Sequence, residues 1–128
     1  MKLVLLTMML LTTVSCASGG SGDRGVQNIA PTQAKTMMNN PDIVWIDVRT
    51  AGEINEGFIK GTEVFADYNG GAFQPLLSTL DKAKTYVVYC RSGGRSSAAA
   101  EIMIQQGFTK VYNLSGGISS WDGELSRP

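Results

Sequence analysis

The chain has 128 residues, 43% of them hydrophobic and 17% charged, with eleven basic residues against eleven acidic ones. That suits one compact domain rather than two, and it leaves no basic run of the kind a nucleic-acid surface needs. There is no histidine, which excludes Cys-His and Ser-His catalysis and histidine metal ligands, so any nucleophile must be activated without an imidazole.

Lys2 precedes an apolar run from Leu3 to Val14 that only threonines interrupt. The run is too short to span a bilayer comfortably as a helix and suits the apolar region of a signal peptide. Thr13-Val14-Ser15-Cys16 resembles the lipobox of bacterial lipoproteins, with Thr13 in place of the usual leucine. The expectation is a signal peptide over 1–15, a lipidated Cys16 opening a flexible Gly/Ser tether over 16–25, and a globular domain over 26–128. Simple secretion, an uncleaved anchor and a chance match are the alternatives. Ala17 is not the aspartate that signals inner-membrane retention. The expected location is therefore the bacterial cell envelope, lipid-anchored in the outer membrane and facing the periplasm. With Cys16 acylated, Cys90 is the one remaining thiol and no internal disulfide can form.

In the domain, Val26 to Ala30 reads as a short strand. Pro31 suits the first position of a helix with Ala34, Met37 and Met38 on its apolar face, ended by Asn39-Asn40-Pro41. Ile43 to Ile46 is continuously apolar, as in a strand covered on both faces. Ala51 to Glu56 reads as a short helix closed by Gly57, and Thr62 to Phe65 as a brief strand. Phe73, Leu76, Leu77 and Leu80 recur at helical spacing. Tyr86 to Tyr89 is a second buried strand, Ser96 to Gln106 a helix capped by Gly107, and Val111 to Leu114 the last strand. Strands alternating with helices predict an α/β domain with a mainly parallel sheet, whose ligands bind beyond the carboxyl ends of the strands.

Cys90 stands at such an end, in Tyr89-Cys90-Arg91-Ser92-Gly93-Gly94-Arg95-Ser96. Gly93 and Gly94 allow the loop to turn several N–H groups inward as an anion nest, and the next helix adds its own free N–H groups. Arg91 and Arg95 add positive charge. Lowering a thiol's pKa by about two units takes about 2.7 kcal/mol. A helix terminus supplies about 0.3–1 kcal/mol. Each hydrogen bond to a charged group supplies about 1.5–3 kcal/mol. The N–H groups should therefore dominate, with the dipole and the arginines assisting. A buried cysteine beside a Gly-rich turn with solvated arginines would give the same string.

The match extends beyond the loop. YCRSGGRS closely resembles the active-site loop of the rhodanese-like sulfurtransferases. Asp47-Val48-Arg49, Glu53 and Gly57-Phe58-Ile59-Lys60-Gly61 resemble that family's D-V-R…E…G-H-I-x-G segment, with Phe58 in place of the histidine. Asn113-Leu114-Ser115-Gly116-Gly117 and Trp121 resemble its L-x-G-G…W ending. The resemblance implies a five-stranded, mostly parallel sheet with helices on both faces, and a single-domain thiosulfate sulfurtransferase.

On this resemblance Cys90 is the catalytic nucleophile. It takes a sulfane sulfur from thiosulfate or a similar donor and passes it to cyanide or a thiol. Arg91 and Arg95 hold the donor's anionic end, Ser92 and Ser96 offer hydroxyls, and Gly93 and Gly94 shape the nest. Asp47, Arg49 and Glu53 are expected to form one ion cluster, and Gly116, Gly117 and Trp121 to serve turns and packing. Neither cofactor nor metal is expected, nor nucleic acid, and the protein should be a monomer whose membrane contact is its lipid. The other readings are a persulfide carrier with little thiosulfate turnover and a phosphatase or arsenate reductase. The C-x4-R spacing, one residue shorter than the phosphatase C-x5-R, opposes the phosphatase. The lack of a second thiol opposes a reductase that must resolve its own intermediate.

Overall fold

The computed structural model describes residues 25–128; the expected signal peptide, Cys16 and nearly all of the expected tether lie outside the described residues. The strands are β1 (Gln27–Ile29), β2 (Ile43–Asp47), β3 (Phe58–Ile59), β4 (Val64–Phe65), β5 (Thr85–Tyr89), β6 (Lys110–Leu114) and β7 (Leu125–Ser126). The helices are α1 (Pro31–Lys35), α2 (Ala51–Asn55), α3 (Phe73–Leu77) and α4 (Gly94–Gln105), with a 3-10 turn over Gly117–Ser120. Five strands form one sheet in the order β1-β6-β5-β2-β4, every neighbouring pair parallel.

The continuous apolar runs are explained by period two. Val44, Ile46, Val48, Tyr86, Val88 and Cys90 point to one face, where Phe73 and Leu77 of α3 and Ala99, Ala100 and Met103 of α4 cover them. Trp45, Val87 and Tyr89 point to the other, under Ala34 of α1 and Trp121. The small residues at 99 and 100 let α4 approach the sheet closely. Trp45 meets Trp121 edge to face at 5.6 Å between ring centroids, a geometry that favours aromatic pairs.

Two features escape the linear pattern. A second, two-stranded antiparallel sheet pairs β3 with β7, registering Phe58 with Ser126 and Ile59 with Leu125. Neither strand is long enough to show a period. The first helix is also shorter than Met37 and Met38 suggest. It ends at Lys35, and the chain turns to Asn39, which takes the left-handed conformation with φ 61°.

The topology sets the site. From β2 the chain leads outward to β4, whereas from β5 it leads the other way to β6. The loops after β2 and β5 therefore part from each other at neighbouring strands, which opens a crevice at the carboxyl edge. The Val48 N–H donates to the Tyr89 carbonyl at 3.1 Å and closes its floor. Of the five buried polar or charged side chains among the described residues, Asp47, Arg49, Ser96 and Asn113 lie at this end of the sheet. Burial of polar groups is costly without partners, so each is held by the contacts described next.

Candidate active site

β5 delivers Cys90 to the crevice floor, where the residue is only 1% exposed. Gly93 adopts φ 110°, a conformation closed to ordinary side chains, and turns the chain directly into α4. The helix begins at Gly94, two residues before Ser96, because the left-handed Gly93 serves as its cap without any side-chain cap. Ser96 thereby falls inside the first turn, fully buried and facing the sulfur.

The Gly93 N–H donates to Cys90 Sγ at 3.1 Å, and Ser96 Oγ lies 3.4 Å from it. Burial pushes the thiol's pKa up. The Ser96 hydroxyl and the N–H groups of Ser96, Gly93 and Ser92 pull it down and prevail, so the net shift is downward. Of these downward pulls the Ser96 hydroxyl's is the largest, and those of the backbone N–H groups follow it.

The arginines divide. Arg95 donates from its two terminal nitrogens to the two carboxylate oxygens of Glu53, at 2.7 and 2.9 Å. This bidentate pair bridges the crevice from α4 to α2 and holds the Glu53 carboxyl down at about 2. Thr50 fixes Glu53 through a capping box: the Glu53 N–H donates to Thr50 Oγ1 at 3.2 Å, and the Thr50 N–H donates to Glu53 Oε1 at 3.4 Å. The expectation that Arg95 grips a donor anion therefore meets a guanidinium already engaged by a carboxylate. Arg91 is exposed. With Arg49, Glu53, Glu56, Ile118 and Ser119 it lines a cavity of about 150 Å³ beside the loop.

The expected cluster of Asp47, Arg49 and Glu53 is in fact two pairs. Arg49 donates to both oxygens of the buried Asp47, its Nη2 at 2.7 Å, and the same nitrogen reaches the Gly57 carbonyl at 2.8 Å. It touches Glu53 only through that residue's backbone carbonyl, at 3.4 Å. Phe58 packs edge to face on Phe65, with centroids 4.9 Å apart. Among the described residues no cluster of three or more His, Cys, Asp or Glu side chains could hold a metal ion.

Gly116 and Gly117 do more than turn. Both take the left-handed conformation, at φ 74° and 58°. The Ile118 N–H then donates to the Cys90 carbonyl at 2.9 Å, and the Ser119 N–H to the Arg91 carbonyl at 3.0 Å. A Cβ on Gly117 would sit 2.5 Å from both of those carbonyl oxygens. The segment after β6 is therefore a brace for the cysteine loop, and only glycine fits at its point of contact. Asn113 and Asn28 also reach this site and were not expected there. An asparagine inside the apolar run Val111-Tyr112-Asn113-Leu114 is the signal that marks the first.

A family model of the rhodanese-like domain matches residues 30–124. The chain belongs to the rhodanese-like domain family. A sulfurtransferase of Allochromatium vinosum is 34% identical over 89 residues, covering 69% of this chain and 79% of its own. The thiosulfate sulfurtransferase GlpE of Pseudomonas aeruginosa is 35% identical over 95 residues, covering 74% of this chain and 83% of its own. A rhodanese-like domain protein from Staphylococcus aureus has a solved structure that superposes with a TM-score of 0.69 at 23% identity, over 80% of this chain and 99% of that one. That last likeness concerns the fold: an α/β rhodanese-like domain built on a five-stranded parallel sheet.

Proposed function

We propose that this rhodanese-like domain is a sulfurtransferase that moves a sulfane sulfur through a Cys90 persulfide, with thiosulfate or a similar anion as donor. The observation that carries the reading is the sulfur's setting: loop N–H groups face Cys90 Sγ and the Ser96 hydroxyl lies 3.4 Å from it, without any imidazole. The Cys90 thiolate attacks the outer sulfur of the donor. A new S–S bond forms, the donor's S–S bond breaks, and its electron pair leaves on sulfite. The negative charge then rests on the terminal sulfur of the persulfide, where the loop N–H groups can hold it. Cyanide or a thiolate takes that sulfur and returns the pair to Cys90, which completes a two-step covalent cycle.

The engagement of Arg95 by Glu53 supports sulfur over phosphate. A phosphoryl group needs a guanidinium closing over it, and here that guanidinium faces a carboxylate. Arg91 is the cation left for the donor's anionic end.

Incubation with thiosulfate is expected to add about 32 Da at Cys90, removed by cyanide with release of thiocyanate. Cys90→Ser is expected to lose both. Sulfur transfer that survives in that variant sinks the proposal, whereas loading without turnover favours the persulfide carrier.

A further inference from the structure

We infer that Asn113, anchored by Asn28, is a positioning residue that draws the Ser96 hydroxyl proton away from the Cys90 sulfur, so that the free thiolate must compete for it. The inference takes its catalytic meaning from the sulfur transfer proposed above, but its geometry stands apart from that reading.

Ser96 Oγ has three acceptors within reach: Asn113 Oδ1 at 2.5 Å, the Gly93 carbonyl at 3.2 Å and Cys90 Sγ at 3.4 Å. A hydroxyl carries one proton. The shortest contact, between two oxygens in the buried interior, requires that proton between them. The Asn113 amide is oriented by its other end. Its nitrogen faces the Gly93 carbonyl at 3.4 Å, which can only accept, and donates to Asn28 Oδ1 at 2.9 Å. Asn28 and Asn113 are register partners on adjacent parallel strands, so the pairing is built into the sheet. The result is a chain of contacts from Asn28 through Asn113 and Ser96 to the sulfur.

With its proton on Asn113, Ser96 offers the sulfur only lone pairs. That arrangement suits a neutral Sγ. In the thiol, S–H can donate to Ser96. In the persulfide, Sγ is bonded to the outer sulfur and the charge lies beyond it. The free thiolate is different, because it has no proton to donate and gains from every donor. For Ser96 to serve it, the hydroxyl must turn from Asn113 to Sγ, which strands a buried amide oxygen. Asn113 therefore favours the neutral forms of Sγ over the thiolate, and it slows discharge by making Cys90 a poorer leaving group.

Alkylation of Cys90 by iodoacetamide, followed at the peptide level in the full chain across pH, tests this. Peptide-level detection separates Cys90 from Cys16. The charged groups at this end of the sheet are Arg91 and Arg95 on the loop and α4, Glu53 on α2 with Glu56 just after it, Asp67 after β4, Asp47 at the end of β2 and Arg49 just beyond it. All are unchanged in the variants, so differences report on Asn113. In Asn113→Leu the alkylation midpoint is expected to fall by about one pH unit, because the nearest acceptor is gone and only the neutral Gly93 carbonyl competes with the thiolate for the Ser96 proton. In Asn113→Asp it should rise, since a carboxylate accepts more strongly and adds negative charge. Asn28→Ala, at an exposed position, should lower it less than Asn113→Leu does, and it decides the matter if Asn113→Leu fails to fold. In a Ser96→Ala background Asn113→Leu should do nothing. A midpoint that stays or rises in both Asn113→Leu and Asn28→Ala, or a shift that persists without the Ser96 hydroxyl, overturns the inference. Shifts as expected in a protein that transfers no sulfur would instead overturn the proposed activity and leave the role of Asn113 standing.

Discussion

At the scale of single residues, the two arginines of one short loop have different work. Arg95 is paired bidentately with Glu53, and Arg91 is exposed beside a small cavity. Arg91→Ala should therefore weaken loading from an anionic donor roughly fivefold, as befits an exposed charge worth about 1 kcal/mol. Discharge of preloaded persulfide to a small neutral thiol should be unaffected. Arg95→Ala should slow both half-reactions alike, because it releases the loop rather than the donor. Single-turnover loading and discharge rates check this, and a loss confined to loading would return Arg95 to the donor. Glu53 supplies a pH test. Its carboxyl is held at about 2, below the ordinary 4.5, mainly by the hydrogen bond from Arg95. A depressed carboxylate stabilises the fold fully above its unfolded pKa and loses that contribution as pH falls toward the folded value. Wild type should thus exceed Glu53→Gln in stability at neutral pH, and the two should converge between about pH 4.5 and 2. Urea midpoints across that range measure it; curves that stay parallel count against the pair.

At the scale of elements, the brace after β6 controls the loop after β5. Gly117→Ala must tolerate both a left-handed alanine, at about 1–2 kcal/mol, and a Cβ pressed on two backbone oxygens. Overpacking of that kind costs about 1–3 kcal/mol. The expected loss is at least about 2 kcal/mol in urea unfolding, together with slower persulfide loading because the Cys90 carbonyl is displaced. An alanine variant with unchanged stability and rate would show that the brace yields freely. The elements themselves were well marked in the sequence where they are apolar and at least five residues long, as in β2 and β5. β3 and β7 were not marked, because strands of two residues present no period and form only when their partner closes on them. The start of α4 at Gly94 rather than Ser96 has a similar cause. Glycine lacks helix propensity, but its left-handed freedom at position 93 lets the helix begin without a polar cap.

At the scale of the whole molecule, the chain enters the sheet through β1, at the edge strand's amino end, whereas Cys90 leaves at the carboxyl edge of a central strand. No helix among the described residues is long and apolar enough to cross a membrane. We propose that retention at the envelope depends on Cys16, read from Thr13-Val14-Ser15-Cys16 and the apolar run before it. Two or more acyl chains anchor firmly where one binds only marginally. A palmitate analogue should label the wild type and not Cys16→Ser, and the labelled protein should fractionate with the envelope. Label that persists in Cys16→Ser would refute the anchor, since Cys90 would then be the acceptor. With an anchored tether entering at the amino end of the sheet, the Cys90 loop would open at the end away from its point of attachment.

The α/β class, the strand that ends at Cys90, the Gly93-Gly94 loop and the lack of an imidazole base are all legible in the chain alone. Those features are local: apolar runs, glycines and residue inventory act over a few neighbouring positions. The partners depend on how the chain folds back on itself. Glu53 is 42 residues from Arg95 in the chain and Asn28 is 85 from Asn113, and no local rule pairs them. In the sequence Arg95 is a cation in an anion nest, which makes it a ligand for the donor. The fold brings a carboxylate from α2 across the crevice, and a bidentate pair there engages both terminal nitrogens of the guanidinium. The site at the sheet's carboxyl edge was legible from one strand. Which charges face the sulfur, and which face each other, depended on where β2, β5 and β6 lie side by side.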